Sequence, residues 1–161
     1  MTTYSYQVFA DYFQVVVMDE VSEEDFASLW TGENSEEWMI AIGNSTLGLG
    51  TLRNADVLLN VHVEPHEPAY SIDEFDHVIE ASIHLPSGDL AIMGGSESLS
   101  VARRIKVPPG SYRLLYAVSG IETIQSEYEP AEDVYSLFIW PAKQKKTTLV
   151  KHWKASRIQK S

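Results

Sequence analysis

DHVIEASIHLPSGDLAIMGGSESLSVARRIKVPPGSYRLLYAV, residues Asp76 to Val118, is the stretch that decides the fold. Successive side chains of a β-strand point to opposite faces, so hydrophobicity with a period of two marks a strand buried on one side. His77, Ile79, Ala81, Ile83 and Leu85 share one face, and Val78, Glu80, Ser82 and His84 share the other. Pro86-Ser87-Gly88 interrupts the run, Leu90 to Met93 resumes it, and Val101, Ile105 and Val107 then share a face with Arg103. After Pro108-Pro109-Gly110, a turn signal, Tyr112, Leu114, Tyr116 and Val118 make a further inward row. The spacing predicts antiparallel sheet and names no chemistry.

Working outward, Tyr4 to Val17 has strand composition, but its apolar rows change phase from even positions (Tyr4, Tyr6, Val8) to odd ones (Phe9, Phe13, Val15, Val17). A bulge or bend near Ala10-Asp11, where one strand serves two packed sheets, explains the switch. Ser22 reads as an N-cap, followed by Glu23, Glu24 and Asp25 at the positive end of a helix dipole and by the stripe Phe26, Leu29, Trp30. Trp38 to Ile42 reads as a strand, GNSTLGLGTLRN as a glycine-rich connection, and Ala55 to Glu64 as a strand with Val57, Leu59, Val61 and Val63 inward. Acidic connections follow at Glu67 to Asp76 and Ile121 to Asp133, and strands at Val134 to Trp140 and Thr147 to Trp153. The expectation is an all-β, two-sheet antiparallel sandwich of eight or nine strands with one short helix, a closed barrel being the alternative. One domain spans residues 1–155, and residues 156–161 form a basic, disordered tail.

Charge is unevenly distributed. The 161 residues carry a formal net charge of −11. Residues 1 to 141 hold 23 acids and five bases, whereas the last twenty residues hold seven bases and no acid. A strongly negative body repels nucleic acid and anionic lipid and attracts basic proteins. The absence of cysteine excludes a disulfide scaffold, a thiol nucleophile and a Cys-ligated zinc site. The N-terminus lacks a basic segment followed by an apolar core, and no run reaches the ~20 apolar residues of a membrane span, so a cytoplasmic protein is expected.

Few residues have the pattern of a catalytic or binding site. His62, Glu64 and His66 share one row of an extended strand, so three metal-competent side chains have the spacing of a ligand set. Pro65 interrupts that row, and the H-x-E-x-H order is not that of a cupin, so no metal or other cofactor is expected. A metal-dependent, cupin-like enzyme built on these three residues stays as an alternative. Gly48-x-Gly50 lacks the following helix that a phosphate cradle needs, and Gly43-Asn44-Ser45 lacks the second glycine of a nucleophile elbow. Four tryptophans raise a further alternative, a carbohydrate- or ligand-binding module; Trp30 and Trp38 read as core. Arg103 reads as an edge residue.

The succession Tyr12-x-Gln14, Trp30 or Trp38 after an acidic helix, Gly48 to Arg53-Asn54, and Pro109-Gly110-x-Tyr112-Arg113-Leu114 resembles a family of bacterial β-sandwich proteins. More distantly it resembles the competence protein J group, inhibitors of a nuclease of DNA uptake. The resemblance implies a small acidic β protein that restrains a nuclease and has no active site of its own. With the charge distribution, it gives the expected function: a non-catalytic acidic protein, an inhibitor or immunity protein that holds a basic nuclease or toxin. The expected partner-binding residues are Glu23, Glu24, Asp25, Glu36, Glu37, Asp73, Glu74 and Asp76. Nucleic acid and membrane are not expected as partners, and a homo-oligomer is left open.

Overall fold

The computed structural model describes residues 2–32 and 35–154. Among the described residues eleven strands, more than the eight or nine expected, form two sheets. The first has β1 (Thr2–Phe9), β5 (Asp56–Val63), β10 (Val134–Pro141), β9 (Gly110–Ser119), β6 (His77–Leu85) and β11 (Thr148–Lys151) side by side in that order. The second has β3 (Ile40–Ile42), β4 (Thr46–Gly50), β2 (Gln14–Asp19), β7 (Asp89–Gly94) and β8 (Arg103–Lys106). Two one-turn helices, α1 (Phe26–Leu29) and α2 (Ser35–Trp38), lie between β2 and β3. This is the two-sheet sandwich the periodicity predicts, with one parallel pairing, β5 with β10, among otherwise antiparallel neighbours.

The central stretch folds as read. Ile79, Ala81, Ile83 and Leu85 of β6 and Tyr112, Leu114, Tyr116 and Val118 of β9 all face the core between the sheets. The phase change after Val8 is where the chain leaves one sheet for the other. β1 belongs to the first sheet and β2 to the second, joined by a 3₁₀ turn over Asp11–Phe13 in place of a bulge. Phe9 consequently ends on the outside, 45% exposed, while Ala10 is fully buried.

Four local expectations change. The first helix starts at Phe26, capped by Asp25, whose carboxylate accepts from the Ala27 amide at 3.1 Å. Ser22 bonds the Thr46 hydroxyl instead, at 2.6 Å. Trp38 closes α2, and Met39, at φ 62°, turns the chain into β3. Within the glycine-rich segment, Thr46–Gly50 is the strand β4, and a Cβ on Gly48 would lie 2.9 Å from the Trp30 indole. Glycine here makes room for a ring laid flat on the sheet, which period-two counting cannot see. Val101 is 60% exposed, in a 3₁₀ turn outside the inward row expected for it. Arg103 sits on the edge strand β8, as expected, paired with Glu97 at 3.0 Å.

Register places the connections at two ends. At one, here called the Asp56 end, lie the starts of β5, β6 and β10 and the finish of β9. At the other, the Leu85 end, lie the finishes of β5, β6 and β10 and the start of β9. Ile121–Asp133 therefore lies wholly at the Asp56 end. The connection from Glu64 to Asp76 crosses from one end to the other, packing Tyr70 and Phe75 against the outer cluster of Val78, Leu115 and Trp140.

Candidate functional site

The Asp56 end is built on a buried ion pair. Arg53, 4% exposed, donates through Nε to Asp133 Oδ1 at 2.8 Å, and its Nη2 reaches the same oxygen at 2.8 Å. Its remaining donors go to the carbonyls of Glu129 and Asp56, each at 3.2 Å. The second Asp133 oxygen accepts from the Tyr135 hydroxyl at 2.7 Å, and that hydroxyl accepts from the Leu52 amide at 3.0 Å. A buried charge pair is tolerable only when its other hydrogen-bonding positions are also filled, and here they are. Burial is the main cause that pushes the Tyr135 phenol far above its usual range, so it stays a donor. The sequence pattern singles out Arg103, as an edge residue, and gives Arg53 no role beyond a landmark. The only signal was an arginine directly before a strand in a chain otherwise poor in bases.

That network holds the long connection in one shape. The Asn54 amide donates to the Glu127 carbonyl at 2.8 Å, and the Glu132 amide donates to Thr123 Oγ1 at 2.8 Å. Gly120, at φ 73°, closes the base, where a Cβ would meet the Glu132 carbonyl at 2.2 Å. The backbone is fixed, yet the side chains of Glu122, Glu127, Glu129 and Glu132 are exposed and make no hydrogen bond or ion pair among the described residues. These four carboxylates lie in an acidic connection the sequence reading noted, although none was among the expected binding residues.

The expected residues divide between the ends. Glu23 and Asp25 are exposed at the Leu85 end, and Glu24 accepts from the amides of Asn44 and Ser45 at 2.9 and 2.7 Å. Glu36 and Glu37 are exposed in α2, with Glu37 3.6 Å from His152 Nε2. Asp73 and Glu74 are exposed before β6, and Asp76 accepts from the Ile121 amide at 3.1 Å. The two groups of acids are thus separated by the length of the sandwich.

The other constellations do not assemble. His62 stacks on Phe138 with ring centroids 4.4 Å apart and bonds Thr3 Oγ1 at 3.0 Å, while His66 is exposed beyond Pro65. Among the described residues no three His, Cys, Asp or Glu side chains gather as a metal site. No tryptophan is an exposed platform: Trp30 covers Gly48 and donates to Gln14 at 2.7 Å, Trp38 and Trp153 pack on the core, and Trp140 is 3% exposed under Arg113. Among the described residues no helix is long and apolar enough to cross a membrane.

Two concavities flank the segment Thr51 to Asp56. One, about 830 Å³, is lined by Ala55, Leu58, Tyr128 and Pro130 together with Asp56 and Glu132. The other, about 350 Å³, is lined by Tyr12, Phe13, Trp30, Met39 and Leu52, with Glu36. Tyr12, Phe13 and Met39 are the three described non-glycine residues with positive φ, at 58°, 59° and 62°. Bulky residues rarely adopt that conformation, and such strain persists only where surrounding contacts hold it. Here the Tyr12 amide donates to Asn54 Oδ1 at 2.7 Å, and the Phe13 carbonyl accepts from the Thr51 amide at 2.9 Å.

The chain matches no protein-family model and no curated protein sequence. Among solved structures it is similar to ComJ from Bacillus subtilis, described as an inhibitor of the DNA degrading activity of NucA. That likeness has a TM-score of 0.59 at 14% identity, over 88% of this chain and 96% of that one. It is also similar to the product of crocagin biosynthetic gene J, with a TM-score of 0.59 at 21% identity, over 89% of this chain and 100% of that one. At these identities the likeness is one of fold. It agrees with the distant resemblance to the competence protein J group that the sequence landmarks carry.

Proposed function

We propose that this chain is a non-catalytic acidic binding protein of the cytoplasm, an inhibitor or immunity protein that restrains a basic nuclease or toxin. The observation that carries the reading is the Ile121–Asp133 connection, whose backbone is pinned while four glutamates stand exposed and unbonded. Carboxylates held in place before binding lose little conformational freedom on association, and a clustered negative potential speeds encounter with a cationic partner. Such a surface also resembles the phosphates that a nuclease cleft is built to accept. The fold shared with ComJ supports the reading, since that protein is described as a nuclease inhibitor.

Of the acids expected from sequence, Glu36, Glu37, Asp73 and Glu74 belong to the proposed surface, because they lie toward the same end. Glu23 and Asp25 do not, and Glu24 serves the β3–β4 turn. A pull-down from native lysate at low salt, followed by assay of the captured fraction on plasmid DNA, tests the proposal. The expected result is a basic protein released by raised salt, whose degradation of DNA or toxicity is suppressed while bound. Capture of nothing basic, or of a partner as active bound as free, contradicts it.

A further inference from the structure

The Asp56 end has a second property besides charge, and the two together define what it can hold. Phe9, Tyr12 and Tyr128 are 45%, 72% and 68% exposed, and they are the exposed aromatic residues of the described chain. Leu58, 42% exposed, joins them on the outer face of β5. Tyr12 and Tyr128 flank the same short segment: Asn54 accepts from the Tyr12 amide through its side chain and donates to the carbonyl of Glu127, next to Tyr128, through its backbone. Isolated surface apolar residues need no explanation, but an exposed tyrosine on each of two neighbouring concavities, Tyr128 on the larger and Tyr12 on the smaller, marks an interaction site. Tyrosine in particular contributes large contact area at low entropic cost.

The electrostatics select the occupant. Among the described residues the one cation lining the larger groove is Arg53, and Asp133 compensates it. Arg103, which reaches the Gln7 carbonyl at the groove's margin, is compensated by Glu97. Asp56 and Glu132 in the same lining are exposed, and their carboxylates have no partner among the described residues. Apolar lining residues beside uncompensated carboxylates fit a long side chain with an alkyl stem and a cationic head.

We infer that the groove between Leu58 and Tyr128 receives a lysine- or arginine-bearing loop of a protein partner, its alkyl stem on Leu58 and the Tyr128 ring, its charge at Asp56 and Glu132. Tyr12 is the second anchor, on the other side of the Thr51–Asp56 segment. This deepens the inhibitor reading and rests on it for the partner's identity, but the groove's preference for a cationic, partly apolar segment stands separately.

The test titrates the isotope-labelled full chain with the blocked peptide Lys-Leu-Arg-Leu-Lys, and with a neutral analogue carrying norleucine for lysine and citrulline for arginine. Amide shifts centred on Asp56–Leu58 and Tyr128–Val134 are expected for the basic peptide alone. Leu58→Ser with Tyr128→Ala weakens binding tenfold or more, while Glu23→Lys with Asp25→Lys at the opposite end changes it less than threefold. All four positions are exposed, and the one structural role among them, the Asp25 cap on the one-turn helix α1, lies at the opposite end from the groove. Equal binding of the neutral peptide, shifts spread over every acidic connection, or a double variant within twofold of wild type overturns the inference. So does a salt-reversible head-to-tail oligomer abolished by Tyr128→Ala, which would make a second copy of the chain the occupant. Failure of the inhibitor reading looks different: the peptide binds in the groove, yet no basic partner is restrained.

Discussion

Acids at the two ends of the sandwich do different things. At the Leu85 end, Asp19 is fully buried and accepts from the Val21 amide and from the amide and hydroxyl of Ser87, while Glu24 accepts from two amides of the β3–β4 turn. At the Asp56 end one carboxylate, Asp133, neutralises Arg53, and the four glutamates of the same connection are left to solvent. Equal acidity in sequence therefore hides two roles. An acid that fills backbone donors is a structural part of its turn, whereas one held on a pinned loop without an internal partner is available to another molecule.

The sharpest way to break this comparison is to remove the buried carboxylate. Asp133→Ala leaves the Arg53 charge buried and unpaired, and a loss of about 3–5 kcal/mol is expected in denaturant unfolding. Combining it with Arg53→Met should recover much of that loss. A loss below ~1 kcal/mol from the single change means that the pair does not organise this end.

Acid should weaken the Asp56 end through a histidine. His77 is fully buried; its Nε2 donates to the Trp38 carbonyl at 2.8 Å and its Nδ1 accepts from the Trp153 amide at 3.3 Å. Burial, with the nearby His152, pushes it down to about 4. The unfolded chain then takes up this proton before the folded one does. Stability from this group is present above about pH 6.5 and is lost as pH falls toward 4, by up to on the order of 3 kcal/mol. His77→Gln should flatten that part of the profile, and an unchanged slope would contradict the assignment.

A smaller effect separates the ends by stability alone. Glu24→Ala leaves the Asn44 and Ser45 amides to water and should cost about 1 kcal/mol. Replacing Glu122, Glu127, Glu129 and Glu132 together by Gln should change stability by no more than about 0.5 kcal/mol, because they hold nothing. If the second set costs more than the first, the division of roles is wrong.

Much of the fold was legible because β5, β6 and β9 each carry an unbroken inward apolar row, which writes a period of two into the sequence even where Val78, Leu115 and Ala117 bury part of the outer face. β4 was not legible, since Gly48 answers to Trp30, a residue 18 positions away, Gly50 to the Met39 backbone, and glycine carries no periodic signal. The phase change after Val8 was readable as a change of sheet, although the strained turn that makes it was not. For the candidate site, composition flagged the acidic connections but could not distinguish Glu24 from Glu129, a difference made by where the turn amides point. The Arg53–Asp133 pair joins residues 80 positions apart and had no local pattern to announce it.

The central claim is that the Asp56 end, and not acidity in general, meets the basic partner. The most direct test is calorimetric titration of the captured partner against wild type and two reversal variants at fixed salt. One variant carries Glu127→Lys, Glu129→Lys and Glu132→Lys, and the other Glu23→Lys and Asp25→Lys. The account predicts that the first loses affinity a hundredfold or more and that the second stays within threefold of wild type. Comparable losses in the two variants, scaling only with net charge, would contradict it.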